Sequence, residues 1–442
     1  MASSGIVLAA YPSDAGAPRS LRVSFAWALT GNGFYAASQW AAIAMLARLG
    51  DPAVVGQFAL GLAITSPLVT CTNLQLRTVQ ATATGGRFCL GHYVTLRLLG
   101  TTAFLLAVAI VAAGAGYRGA TLAALGAVAA LRAADALSDV LYGYLHAQER
   151  FDRIAQSQIL KAAASLAAMW LTIRWTGSCR AGIVALAVAS WLTLAVVDRA
   201  IVARIRGPQP WFPPWRGSRI LELFETSLPL GLTLLLVSLN ANLPRYFLEH
   251  YRGVEQVGVF SALAYVTISA NLFVMALGQA AAPRMAQAST TNRRLFVRWS
   301  VRLFTVAAAV GGLGLAVAVV AGRPLLQLLY GAPYAQEQRV FVWLMFSGLV
   351  SYLSSAAGYS LTSARYFRAQ FPILLVVCAV TAAACALLVP SQGLVGAAVA
   401  QAGGYGVQLG CSLAYLIWTL RRGLPPRGEV AAAGGLLLKP EV

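Results

Sequence analysis

Three ionisable side chains share one face of an apolar helix in the first half of the chain. Arg132, Asp135 and Asp139 lie within a run of mostly alanine, leucine and valine that covers residues 120–144. At helical spacing these three side chains project to the same side. An arginine at the centre of a bilayer costs roughly 2.5–3.5 kcal/mol on insertion scales, so it normally faces a cavity or a charged partner. Its forked guanidinium binds phosphate oxygens in pairs, so this pattern could bind a phosphorylated anion.

Two roles for Arg132 fit this spacing equally. Arg132 can line a cavity and meet an anion while Asp135 holds it in place, or the two can form an internal salt bridge that fixes helix packing. A second cation, Lys161, lies in the next apolar run, as far beyond Arg150 as Asp139 lies before it. Lys161 and Asp139 could therefore pair across a helical hairpin, and we expect this structural pairing in preference to a role of Lys161 in ligand binding.

Further polar residues are candidates for the same cavity. Each half has two amide side chains in its leading helix. These are Asn32 and Gln39 in the first half, and Asn240 and Asn242 in the second. They could bind hydroxyl groups of a ligand or a cation, or form interhelical hydrogen bonds. Five arginines lie near helix ends: Arg22, Arg77 and Arg284 at inner ends, and Arg48 and Arg245 at outer ends. They could contact phosphate around Arg132, or only set topology and snorkel to the interface.

Nothing in the sequence indicates an enzyme or a resident cofactor. No catalytic or metal-binding cluster is evident, so none is predicted. Neither Lys161 nor Lys439 lies in the glycine-rich loop that ATP hydrolysis requires. An ion gradient could drive transport, but the sequence indicates no site for a coupling ion.

The elements that position these residues are membrane-spanning helices. Of the 442 residues, 59% are hydrophobic and 11% are charged, whereas a soluble protein has about 25% charged residues. Apolar runs long enough to cross a bilayer recur twelve times. The predicted spans are 22–47, 53–76, 95–116, 120–144, 156–174, 181–202, 224–247, 257–281, 301–322, 338–363, 370–389 and 394–418. The expected fold is an all-α polytopic membrane protein.

The charge pattern sets the orientation of these spans. The chain carries 33 basic and 14 acidic residues, a net charge of +19. The basic residues concentrate in alternate loops, which places both termini in the cytoplasm. Because the basic residues serve topology in this way, nucleic acid is not an expected partner.

A proline-rich stretch after the sixth span divides the chain into two halves. We expect an N-terminal lobe at 1–206, a cytoplasmic linker at 207–220, a C-terminal lobe at 221–420 and a disordered cytoplasmic tail at 421–442. Six spans per half is an even number, so the lobes would form a parallel repeat. Such a repeat usually frames a central cavity whose two sides rock for alternating access.

Short motifs recur in the two halves and support this repeat. Val55-Gly56-Gln57-Phe58 opens the second span, and Val257-Gly258-Val259-Phe260 opens the eighth. The first half contains Gly143-Tyr144 followed by Arg150 and Arg153. The second half contains Gly358-Tyr359 followed by Arg365 and Arg368, with the same internal spacing.

The first hairpin and the start of the second half carry a family resemblance. The residues concerned are Gly33-Phe34-Tyr35, Arg48-Leu49-Gly50, Val55-Gly56-Gln57-Phe58-Ala59 and Val257-Gly258-Val259-Phe260-Ser261-Ala262. With the twelve-span plan, the chain resembles polysaccharide flippases of the multidrug/oligosaccharidyl-lipid/polysaccharide exporter superfamily. The resemblance implies movement of a polyprenyl-pyrophosphate-linked oligosaccharide across the bacterial inner membrane, for lipopolysaccharide or exopolysaccharide synthesis. It also implies membrane lipids, a polysaccharide polymerase and export machinery as partners.

Two other functions compete with this interpretation. A cation-coupled multidrug exporter of the same superfamily would resemble its relatives in having acidic groups inside its cavity. Here Asp135 and Asp139 are the only acids we expect deep in the spans, and Arg132 lies beside them. A membrane glycosyltransferase or polymerase would need a large external loop with acidic residues, whereas the predicted external loops are short.

Overall fold

The computed structural model describes residues 21–82, 88–206, 211, 217–364, 366 and 370–422, and all regular structure in these ranges is helical. The helices are α1 (Leu21–Leu49), α2 (Pro52–Asn73), α3 (Leu76–Thr82), α4 (Leu90–Gly114), α5 (Gly119–Ala147), α6 (Phe151–Thr176), α7 (Cys179–Thr193), α8 (Arg199–Arg206), α9 (Gly217–Arg252), α10 (Val254–Thr291), α11 (Arg293–Tyr330), α12 (Ala332–Ala335), α13 (Gln338–Ser363) and α14 (Gln370–Arg422). A π-helical turn, Leu194–Asp198, joins α7 to α8.

Each of the twelve predicted spans coincides with helical structure, which confirms the all-α membrane fold. Nine of the described helical segments are long and apolar enough to cross a membrane. One of them, α14, contains two of the predicted spans. The remaining two spans are α1 and α6, which are less apolar because they carry polar residues such as Asn32, Gln39 and Lys161.

A kink at Gly393 separates the two spans within α14. Gly393 has φ +58° and ψ −127°, a conformation that costs a residue with a Cβ far more than it costs glycine. Pro390 precedes the kink and has no backbone N–H to continue the helix. The Nη2 of Arg252 donates to the carbonyl oxygen of Pro390 at 2.6 Å, which satisfies a backbone acceptor beside the kink.

The chain forms two compact units, each with its own apolar core. The first contains residues 1–45 and 64–235, and the second contains residues 46–63 and 236–442. The lobe boundaries at 206 and 221 stay a prediction. Of the predicted linker, residues 207–210 and 212–216 lie outside the described residues, as do Arg365, Arg368 and the tail from residue 423.

The repeated Val-Gly motifs meet within the second unit. A Cβ on Gly258 would lie 2.5 Å from the carbonyl oxygen of Pro52 and 2.6 Å from the amide nitrogen of Gly56. A Cβ on Gly56 would overlap the carbonyl oxygen of Val254. Each glycine therefore lets the start of α2 approach the start of α10 to backbone contact, the small-residue packing typical of membrane helices.

We expect Gly258→Ala to destabilise the protein by about 1–3 kcal/mol, because the added methyl must displace backbone rather than a flexible side chain. The matched control is Gly312→Ala in α11 of the same unit, where an added Cβ has nothing within 4 Å. The thermal unfolding midpoint of the detergent-purified protein measures both. Equal midpoints for the two variants would contradict the close contact.

Candidate functional site

A polar cavity of about 310 Å³ lies among the helices of the first unit. Its lining comes from α1, α2, α3, α5 and α6. The charged lining residues from α5 are Arg132, Asp135 and Asp139. Their position on one face of a helix was predicted from their spacing, and the structure confirms this face. Their role in binding stays a prediction.

Two glycines bring the lining helices close together. A Cβ on Gly31 of α1 would lie 2.7 Å from the Cα of Ala155 in α6. A Cβ on Gly143 of α5 would lie 3.1 Å from the Cα of Arg77 in α3. Since small residues let membrane helices approach closely, these contacts hold the side chains of neighbouring helices within hydrogen-bonding reach.

Lys161 is the buried centre of the charge network. Its side chain is 3% exposed, and its Nζ donates to the Oγ of Ser138 at 2.5 Å. The same Nζ lies 3.6 Å from Oδ2 of Asp198 and 3.7 Å from Oδ1 of Asp135. The predicted pairing of Lys161 with Asp139 is therefore wrong. Two other carboxylates lie nearer to the ammonium group, Asp135 of α5 and Asp198 of the π-helical turn.

Asp198 is a buried acid that the sequence analysis missed. It lies in the π-helical turn, its side chain is fully buried, and it accepts hydrogen bonds from the hydroxyls of Ser138 at 2.6 Å and of Ser157. The hydroxyl of Tyr142 lies 3.4 Å from its Oδ1. The expectation that Asp135 and Asp139 are the only deep acids is wrong. The signal in the sequence that could have identified Asp198 is its position inside the predicted sixth span, four residues before the span ends.

Asp139 is held by two arginines. Nη2 of Arg97 donates to its Oδ2 at 2.9 Å, and Nη1 of Arg77 lies 3.7 Å from its Oδ1. Arg97 is fully buried, and its Nε and Nη1 have no hydrogen-bond partner in the described structure. Arg97 was not among the residues singled out from the sequence, so its burial was not predicted.

Arg132 is a lining cation without a carboxylate partner. Within the described ranges it makes no ion pair or hydrogen bond, and its Nε is buried without a partner. Asp135 instead accepts a hydrogen bond from the hydroxyl of Tyr35 at 2.7 Å and lies beside Lys161. The prediction that Asp135 holds Arg132 is therefore wrong, because Tyr35 and Lys161 occupy the carboxylate.

Of the other predicted residues, the cavity includes Asn32 and Arg77. The Oδ1 of Asn32 accepts from Nε2 of Gln158 at 3.1 Å, which links α1 to α6. Gln39 lines a neighbouring pocket of about 10 Å³. The side chain of Arg22 lies outside the described residues.

The remaining candidates lie in the second unit and make local contacts there. Nε of Arg245 donates to Ser261 at 2.9 Å, and Nη1 donates to Asn242 at 3.0 Å. Asn240 accepts from Thr381 at 2.8 Å, and Arg48 donates to the carbonyl oxygen of Leu329 at 3.1 Å. Arg284 lies over the ring of Trp299. Each of these residues makes contacts within the second unit, and their predicted role around Arg132 stays a prediction.

The charges in and beside the cavity favour an anion. The cations are Arg77, Arg97, Arg132 and Lys161, and the carboxylates are Asp135, Asp139 and Asp198. Among the described residues, each of these carboxylates has a cation within 4 Å, and Arg132 has no carboxylate partner. An arginine in that position can give two parallel hydrogen bonds to phosphate oxygens. The polar atoms of Asn32 and Tyr35 beside it can hydrogen-bond hydroxyl groups.

Removing one partner of the Lys161–Asp198 pair should destabilise the protein strongly. We expect Lys161→Met alone to cost about 3–5 kcal/mol, because it leaves Asp198 and Asp135 without that cation. Asp198→Asn alone should cost less, because Asp135 still lies beside Lys161. The double variant Lys161→Met/Asp198→Asn should lose less stability than the sum of the two single losses, since it removes both charges of the pair. Thermal unfolding in detergent measures the stability of the two single variants and of the double variant. A loss of stability in the double variant equal to the sum of the two single losses would contradict direct pairing.

Comparison with known proteins identifies the fold and the family. The lipid II flippase MurJ, in its inward closed conformation, has a TM-score of 0.70 at 11% identity and covers 90% of this chain and 87% of its own. An inward-facing multidrug resistance MATE family transporter of the MOP superfamily has a TM-score of 0.63 at 14% identity, with coverage of 90% and 94%. At such identities these structures show the fold alone.

Two sequence comparisons point to polysaccharide synthesis. Capsular polysaccharide biosynthesis protein CapF of Staphylococcus aureus is 23% identical over 359 residues, which are 80% of this chain and 89% of that protein. Residues 23–289, more than half of the chain, match the family described as polysaccharide biosynthesis protein. The chain is thus a multi-pass membrane protein that belongs to the polysaccharide biosynthesis protein family.

Proposed function

We propose that this protein is a flippase that moves a polyprenyl-pyrophosphate-linked oligosaccharide across the bacterial inner membrane. The cargo would serve lipopolysaccharide or exopolysaccharide synthesis, and the two predicted lobes would expose it to each side by alternating access. The observation that carries the proposal is Arg132, a cavity cation without a carboxylate partner in the described structure. A pyrophosphate group is the anion that this lipid would bring to it.

The composition of the cavity suits both parts of such a cargo. Arg132 offers a guanidinium to the pyrophosphate, and Arg77 lines the same cavity on α3. Asn32, Tyr35 and Gln158 offer amide and hydroxyl groups to a glycan. The family membership and the relative CapF, a capsular polysaccharide biosynthesis protein, support a role in polysaccharide synthesis.

Membership of a transporter fold leaves a second candidate, a cation-coupled multidrug exporter. MATE family transporters share the fold, and this cavity contains carboxylates that a cationic drug could approach. However, Asp135 and Asp198 lie beside Lys161, and Asp139 lies beside Arg97 and Arg77. A cationic drug would therefore have to displace a built-in cation, whereas an anion meets Arg132 directly.

The orientation and partners follow from the same proposal. Both termini would lie in the cytoplasm, and the 1–206 and 221–420 lobes would flank the transport path. A polysaccharide polymerase and export machinery would receive the flipped product, and a coupling ion could supply the energy. The chain itself would carry out no covalent chemistry.

The test is transbilayer movement of a labelled polyprenyl-pyrophosphate oligosaccharide in liposomes that contain the purified protein. We expect Arg132→Ala to slow movement about tenfold or more, because a hydrogen bond to a charged group contributes roughly 1.5–3 kcal/mol. Arg132→Lys should retain part of the rate, since it keeps the charge and loses the forked geometry. Arg174→Ala, at an exposed arginine of α6, should transport like the unchanged protein.

The possible outcomes separate the two candidate functions. Movement that is equal in Arg132→Ala and in the unchanged protein would keep the flippase and remove Arg132 from the binding site. No movement by a folded protein, together with accumulation of a cationic dye against a proton or sodium gradient, would replace the flippase with the multidrug exporter.

A further inference from the structure

A second basic surface lies in the second unit, where α10 ends and α11 begins. It consists of exposed arginines around a half-buried tryptophan, and we name it the Trp299 surface. Its members are Arg284, Arg293, Arg294, Arg298, Arg302 and Trp299. None of these residues lines the cavity of the first unit, and the proposed transport mechanism does not use this surface.

The geometry of the Trp299 surface concentrates positive charge on one side. Arg294, Arg298 and Arg302 follow one another at four-residue spacing, which places neighbouring Cβ atoms about 6 Å apart on one face of α11. The guanidinium of Arg302 lies 5.2 Å from the ring centroid of Trp299. Arg284 of α10 lies 5.4 Å from the same ring, so the tryptophan links arginines from both helices.

No carboxylate of the described chain compensates this charge. The sequence has no aspartate or glutamate between Glu255 and Glu337. In the ranges that the structure covers, the five arginines form no ion pair with an acid. Five like charges at close spacing repel one another, so an anionic partner would relieve the repulsion.

Exposed apolar side chains lie on the same part of α11. Leu295 is 43% exposed and Val301 is 56% exposed. Trp299 itself packs against an apolar cluster that includes Phe296, as do Tyr366 and Tyr415. A surface with arginines, an interfacial tryptophan and exposed aliphatic groups matches the boundary between lipid headgroups and acyl chains. An acidic protein or a nucleic acid would leave the aliphatic groups in water.

We propose that the Trp299 surface binds the phosphate headgroups of anionic phospholipids in the leaflet next to it. The positive-inside orientation predicts that this is the cytoplasmic leaflet, which carries the negative surface potential. The arginines donate paired hydrogen bonds to phosphate oxygens, and Leu295 and Val301 contact the acyl chains. The lipid fixes the ends of α10 and α11 at the interface.

The experiment is a titration of the full detergent-purified chain with phosphatidylglycerol, and separately with phosphatidylcholine of the same acyl chains, read by native mass spectrometry. We expect the unchanged protein to prefer phosphatidylglycerol by roughly tenfold or more, from several arginines near one headgroup. The variant Arg294→Gln/Arg298→Gln/Arg302→Gln should lose most of this preference. The matched control Arg118→Gln/Arg174→Gln/Arg180→Gln removes the same charge from exposed arginines of the first unit and should keep it.

Salt dependence and competition decide between this proposal and its rivals. Preference for phosphatidylglycerol should fall as ionic strength rises, because screening shortens the reach of exposed charges to about 3 Å at 1 M salt. Equal losses in the two triple variants would overturn the proposal, since net charge alone would then explain the preference. Displacement of phosphatidylglycerol by an equimolar short-chain polyprenyl pyrophosphate would also overturn it and assign the surface to that lipid.

Discussion

Charges inside the helices of the first unit have little water to solvate them, so each must find compensation within the fold. Lys161 shows the constraint most clearly, because its side chain is 3% exposed and still carries an ammonium group. Asp135, Asp198 and the hydroxyl of Ser138 surround that group. These contacts require α5, α6 and the π-helical turn to lie side by side, so the position of three elements depends on one buried cation.

The same requirement explains why Arg132 is available to a ligand. Lys161 lies beside Asp135 and Asp198, and Arg97 and Arg77 lie beside Asp139. This leaves the cavity with a surplus guanidinium rather than a surplus carboxylate. A transporter for cationic compounds would instead need a carboxylate without a cationic partner in its cavity. The charge balance therefore distinguishes the two proposed functions more sharply than the fold does, because exporters and flippases share the fold.

Local periodicity made part of the site predictable from sequence. Arg132, Asp135 and Asp139 lie on one cavity-facing side because helical spacing alone determines which side chains share a face. The partners of the two aspartates could not be predicted in this way, since Tyr35, Lys161 and Arg97 come from other helices. Asp198 was also hidden by its position near the end of a span, where an acid is ordinary. The twelve spans were easier to predict, because bilayer thickness sets their length.

The two halves of the chain share a sequence motif but not the charged residues of the cavity. The Gly56 and Gly258 motifs pack against each other at a single backbone contact between α2 and α10, because a close helix contact depends only on the absence of a side chain. At the positions that match Arg132, Asp135 and Asp139, the second half has Ser347, Val350 and Ser354. Both serines are buried in α13. A serine hydroxyl needs no compensating charge when it is buried, so the helix of the second half forms without a network of ion pairs. Among the described residues, the cavity cation Arg132 therefore has an uncharged counterpart at the matching position of the second half, and the charge that could bind an anion belongs to the first half alone.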